Sequence, residues 1–121
     1  MSLIIERIDF DEVFDDIPDI SYLEQYDENS KDVEERKYSQ QDKERLEAYY
    51  NDEWHFIGIR AKAEIRINGI SQEIISSGLY GIESDSSVEY FNEVFEEQKE
   101  ELHELLLEIG FNEKDFEDLE K

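Results

Sequence analysis

The chain has no cysteine, one proline, one tryptophan and only two histidines, His55 and His103. Without cysteine there is no disulfide and no thiolate metal site, which fits a reducing, cytoplasmic setting. A serine nucleophile would need a base, and neither histidine stands at a recognisable spacing from a Ser or Asp. There is no Walker loop, no Gly-x-Gly-x-x-Gly and no His-Glu-x-x-His. Asp85, Ser87, Glu89 and Glu96 faintly follow a calcium-loop pattern, but Tyr90 stands where that loop needs glycine. The sequence therefore predicts no enzyme, no cofactor and no metal. Apolar runs are short: none approaches the roughly 18 residues of a membrane span, and the opening run is too short for a signal peptide.

Basic residues are scarce as well. Twelve Lys and Arg face 35 Asp and Glu, for a net charge of −23 on 121 residues. Anionic membranes should repel such a chain, and direct nucleic-acid binding is disfavoured for the same reason. The charge is uneven. Residues 1–53 and residues 83–121 each carry a net −12, while residues 54–82 carry +1. Two acidic arms thus flank a nearly neutral centre. The chain is 38% hydrophobic and 12% aromatic, too rich in large apolar groups for a disordered acidic polymer. Residues 1–121 are read as a single domain.

The centre alternates. Ile57, Ile59, Ala61, Ala63, Ile65 and Ile67 occupy odd positions, with Arg60, Lys62, Glu64 and Arg66 between them. Period two predicts a half-buried strand. Asn68-Gly69 then supplies the pair that best tolerates positive φ at both centres of a type I′ turn. A two-residue loop pairs Ile67 with Ile70, Ala63 with Ile74 and Ile57 with Tyr80. Further on, Ser86 with Glu89 matches a capping box opening a long helix. Val88, Phe91, Phe95, Leu102, Leu105, Leu106 and Ile109 form its apolar stripe. Gly110 predicts a C-cap onto which Phe111 folds back, and Asn112 opens a short tail helix.

In the first arm, Asp9 is read as capping a short helix in which Phe10, Val13, Phe14 and Ile17 share a face, stopped by Pro18. Ser21–Tyr26 reads as another helical turn, Asp27–Lys37 as a loop, and Ser39 as the start of a helix presenting Leu46, Tyr49 and Tyr50. The fold class expected is α+β, with an antiparallel hairpin or small sheet covered on one face by helices and a long acidic C-terminal helix.

The long helix carries the principal candidate surface. Glu89, Glu93, Glu97, Glu100, Glu104 and Glu108 recur at four- and three-residue steps, with Glu96 and Glu101 beside them. Only Lys99 interrupts the acids, whereas a merely soluble helix usually mixes Glu with Lys at i,i+4. Asp11, Glu12, Asp15 and Asp16, interleaved with apolar residues, form a second candidate. Their alternative role is to cover the sheet.

Glu53-Trp54-His55-Phe56-Ile57-Gly58-Ile59-Arg60-Ala61, Gly78-Leu79-Tyr80-Gly81-Ile82-Glu83-Ser84-Asp85-Ser86 and the Leu-Glu-Ile-Gly-Phe at 107–111 carry a resemblance. In these segments the chain resembles an uncharacterised family of small acidic proteins encoded by phages, plasmids and other mobile elements. The resemblance brings no activity with it. It implies a mobile-element setting inside a bacterial host, where small acidic proteins often block restriction or CRISPR nucleases. The expectation is a nucleic-acid mimic that occupies the basic DNA- or RNA-binding site of such a nuclease. The alternative is an acidic adaptor that binds a protein partner without mimicry.

Mutual repulsion among this many carboxylates opposes compaction. Adding ~0.5 M salt, which shortens the screening length to a few ångströms, should raise the melting temperature. A flat or falling melting temperature across that titration would show that the charges are already compensated.

Overall fold

The computed structural model describes residues 2–24, 33–117 and 119. The elements run β1 (Leu3–Phe14), α1 (Ser21–Glu24), α2 (Val33–Tyr50), β2 (Phe56–Ile67), β3 (Ile70–Ile75), β4 (Leu79–Glu83), α3 (Val88–Ile109) and α4 (Glu113–Glu117). All strand pairs are antiparallel. β1 pairs along one side of β2, and β3 and β4 share its other side. The architecture is the expected α+β.

β2 is the central strand because its alternation supplies one continuous buried face. Ile57, Ile59, Ala61, Ala63 and Ile65 are all buried. The two alanines sit where α3 crosses, and their small side chains receive Leu102 and Leu106. Ile57, Ile59 and Ile82 receive Val94. Each of the large side chains stabilises the fold by about 1.5–3 kcal/mol relative to exposure.

The hairpin forms around Asn68 (φ 51°) and Gly69 (φ 84°). Ile67 faces Ile70 and Ala63 faces Ile74, as the turn chemistry predicts. The expected Ile57–Tyr80 pair does not form; Ile57 faces Ile82 and Ile59 faces Leu79. The reason is local. Ser76-Ser77-Gly78 leaves the ladder, so the second strand restarts as β4 in a shifted register. Ser76 Oγ accepts from Ala61 N–H at 2.9 Å and donates to Gln98 Oε1 at 2.7 Å. That oxygen also accepts from Gly78 N–H at 2.9 Å. A buried glutamine of α3 thus replaces the missing strand partners.

The N-terminal arm departs from expectation. Residues 9–17 form no helix; β1 runs through to Phe14, and Phe14 (68%) and Ile17 (87%) are exposed rather than packed on a shared face. A register shift between Ile5 and Arg7 hid the strand's period. The extra residue, Glu6, flips the phase, so that Ile5 before it and Ile8 and Phe10 after it lie opposite buried positions of β2, and Leu3 lies opposite the half-buried Ile67.

α2 also begins earlier than expected. Residues 33–37 are helical, and Ser39 is a buried interior position, not a start. Its run of Glu, Arg, Lys and Gln has high helix propensity and almost no apolar period, so propensity carries the helix where patterning is silent. Its C-terminal part docks through Leu46, Ala48 and Tyr49, which pack on Trp54, Leu23 and Phe56. The expected turn at Ser21 forms as α1; its continuation beyond Glu24, and the loop expected at 27–32, lie outside the described residues.

α3 starts one residue later than the capping box implies. Ser87, not Ser86, is the N-cap, accepting from Tyr90 N–H, while Ser86 Oγ donates to Glu83 C=O. Val88 and Ile109 stay exposed, and the buried stripe is Val94, Gln98, Leu102 and Leu106. Gly110 caps the helix at φ 129°, and Phe111 folds back into the core, as expected.

Asn68→Ala combined with Gly69→Val forces two ordinary residues into left-handed backbone, at about 1–2 kcal/mol each. The double variant should lose more thermal stability than any pair of exposed Glu→Gln changes. An unchanged melting temperature would contradict the hairpin.

Candidate functional site

α3 rests on the sheet through one narrow stripe, which turns its opposite side outward. Glu89, Glu93, Glu97, Glu100, Glu104 and Glu108 are all exposed there. At 3.6 residues per turn they fall within roughly 100° of arc and span about 28 Å of axis. None of the six makes an ion pair or side-chain hydrogen bond among the described residues. Like charges at i,i+4 without intervening cations destabilise the helix.

The two flanking acids behave differently. Glu96 is exposed and paired with Lys99 at 2.7 Å. Glu101 turns inward, taking Ser77 N–H at 2.7 Å and Ser77 Oγ at 2.6 Å. It braces the break between β3 and β4, so it belongs to the scaffold and not to the outer stripe.

The N-terminal candidates do not assemble into one surface. Asp11 is paired with Arg60 at 2.5 Å, and Asp15 accepts from Gly81 N–H at 2.9 Å and Ile17 N–H at 3.2 Å. Glu12 and Asp16 are exposed. Strand alternation places Glu12, opposite Ile59, on the same side of the sheet as α3.

The sheet's other side explains where the cations go. Arg60 pairs with Asp11, Arg7 with Asp9 and Glu64 (2.8 Å each), and Arg66 with Glu6. Hydrogen-bonding pattern and charge order agree on that face, which is an internally compensated ladder. Beyond it, Arg45 stacks 3.7 Å from the Trp54 ring centroid and grips Asp85 with two bonds of 2.7 and 2.5 Å. It also reaches Glu83 at 3.1 Å. Glu83 in turn accepts from Tyr22, whose phenol burial and the Glu83 charge push up to about 12. This clamp ties α1, α2 and β4 together, and it occupies the carboxylate that the calcium-loop pattern would have used.

Between β1, α3 and α4 lies an open groove of about 860 Å³, into which Glu96, Glu100 and Glu104 reach. Its floor holds His103, paired with Glu113 at 2.9 Å and stacked on Phe116 at 3.9 Å. The other histidine, His55, stacks on Phe14 at 5.6 Å. Among the described residues no group of His, Cys, Asp and Glu has the arrangement of a metal site, and no helix is long and apolar enough to cross a membrane.

Gln98 and Glu101 were invisible as structural residues in the sequence. A lone Gln on an otherwise apolar stripe, three residues before a Glu, was the available signal. Compared with protein-family models, curated proteins and solved structures, the chain matches none.

The Arg45 hydrogen bonds hold the Asp85 carboxyl below its ordinary 3.8. A depressed folded-state value means stabilisation that is present above the unfolded value and lost as pH falls through the folded one. In Arg45→Gln, the Asp85 carboxyl carbon should titrate at higher pH than in the parent by NMR, and the protein should lose stability at neutral pH. An unshifted Asp85 titration would remove Arg45 as the cause.

Proposed function

We propose that this protein is an inhibitory nucleic-acid mimic that occupies the basic DNA- or RNA-binding surface of a partner protein. The carrying observation is the outer face of α3: six exposed glutamates in one stripe, none paired with a cation among the described residues. The contrast within the molecule strengthens the reading, because most arginines of the sheet's far face are matched to a carboxylate. Among the described residues, Arg7, Arg45, Arg60 and Arg66 are engaged by carboxylates of the scaffold, and on α3 Lys99 pairs with Glu96 and with none of the six. Lys and Arg that normally neutralise phosphates are the complementary surface, and long-range attraction would speed the encounter.

The resemblance to mobile-element proteins narrows the proposed partner to a host defence nuclease, a CRISPR effector or a restriction enzyme, met in the bacterial cytoplasm. The competing reading, an acidic adaptor without mimicry, draws on the exposed Phe14 and Ile17 at the end of β1. In that case the apolar tip, not the stripe, would carry the affinity.

Changing Glu93, Glu97, Glu100 and Glu104 to Gln removes four charges while keeping shape and helix propensity. The variant should fold as stably as the parent or slightly more so. Its association with a basic nucleic-acid-binding partner should slow by about ten-fold or more at low salt, with a shallower salt dependence. Excess DNA or RNA should displace the parent protein from that partner. Unchanged binding together with no displacement by nucleic acid would refute the mimic.

A further inference from the structure

β1 is an edge strand. It pairs with β2 along its whole length, and no described strand pairs its outer side. The phase of the ladder is fixed where Asp15 N–H meets Phe56 C=O at 3.0 Å. Hydrogen-bonded pairs alternate in an antiparallel ladder. The unbroken register from Arg7 to Phe14 therefore turns Asp9, Asp11 and Val13 inward. Ile8, Phe10, Glu12 and Phe14 point their N–H and C=O groups outward.

The two halves of this edge differ. Near the N-terminus the strand bulges at Glu6, and α4 packs against it. From Ile8 to Phe14, roughly 23 Å of extended backbone, it is regular. Exposed edges are commonly blunted by lysine, proline or a bulge, and Ile8–Phe14 contains none of these. It carries Asp9 and Asp11, already paired with Arg7 and Arg60, and the exposed Glu12, beside Phe10 (41% exposed) and Phe14 (68% exposed). A second copy of the chain would bring another net charge of −23 against Glu12 and this edge, which repels it. A strand rich in Lys or Arg would meet opposite charge, and the two phenylalanines would give its apolar side chains a surface.

We propose that the outer edge of β1, from Ile8 to Phe14, docks an extended basic segment of a partner protein, which adds to the sheet as a further strand. This is recognition through backbone hydrogen bonds, with charge selecting the sequence. It rests on the mimic reading only for the sign of the partner's charge, and uses a surface other than the glutamate stripe.

The probe is a blocked eight-residue peptide alternating Lys and Val, titrated into the full chain at low salt and followed by NMR. Two counterparts accompany it, one with Glu for Lys and one N-methylated at every second amide. The Lys–Val peptide should slow exchange of the Ile8, Phe10, Glu12 and Phe14 amides, and both counterparts should fail to do so. Glu12→Pro removes an outward N–H without touching the inner ladder, and should weaken binding by about ten-fold. Glu12→Gln should weaken it by no more than about three-fold.

The proposal is overturned if the N-methylated peptide binds as well as its parent, a comparison that needs only the wild-type chain. It is equally overturned if the Glu peptide binds as well, if the Pro and Gln variants behave alike, or if those amides are protected by dimerisation without peptide. Loss of partner binding by the α3 stripe variant, alongside failure of the peptide test, would remove the edge proposal and leave the mimic standing.

Discussion

The buried face of β2, closed by α3, is the interaction on which the other elements depend. Five consecutive odd positions from Ile57 to Ile65 are buried, and the two alanines among them set how closely the helix can lie. β1, β3 and β4 each find their place by pairing with this strand. α3 is held along it by Val94, Leu102 and Leu106, with Gln98 as a polar rivet among them. α1 and α2 attach to the same strand by its first residue, Phe56, which points to the opposite side and is wrapped by Leu23, Trp54 and Tyr49.

That dependence explains what could be read from residues alone. The β2 pattern and the Asn68-Gly69 turn are local signals that agree with the tertiary fold, so strand, turn and near-turn register were all legible. Gly110 and Phe111 were legible for the same reason. The N-terminal strand was not, because a single bulged residue breaks period two and leaves Phe10, Val13, Phe14 and Ile17 at helical spacing by coincidence. The β4 register was hidden because it is set by Ser76, Gln98 and Glu101, whose hydrogen bonds are long-range in sequence.

The candidate surface was partly legible. A run of glutamates at four- and three-residue steps marks an outer helix face without reference to anything else. What the run does not disclose is which acids are already engaged. Glu101, Asp11 and Asp15 share the composition of their neighbours, yet each is fixed by a partner at least 20 positions away in sequence. Compensation is a property of the folded arrangement, and it reduces the candidate set to the outer stripe of α3 together with Glu12 and Asp16.

The sheet also separates charge. One side carries a ladder in which Arg7, Arg60 and Arg66 are matched to carboxylates, and the other carries a helix with eight glutamates and a single lysine. Among the described residues, the β-ladder face of this thin layer is therefore locally compensated, while the α3 face carries carboxylates without partners. In the field of a charged surface such a body experiences a torque as well as a force. Uneven charge of this kind turns the more negative face toward positive potential before contact, so the same arrangement that sets the sign of an attraction also shortens an orientational search.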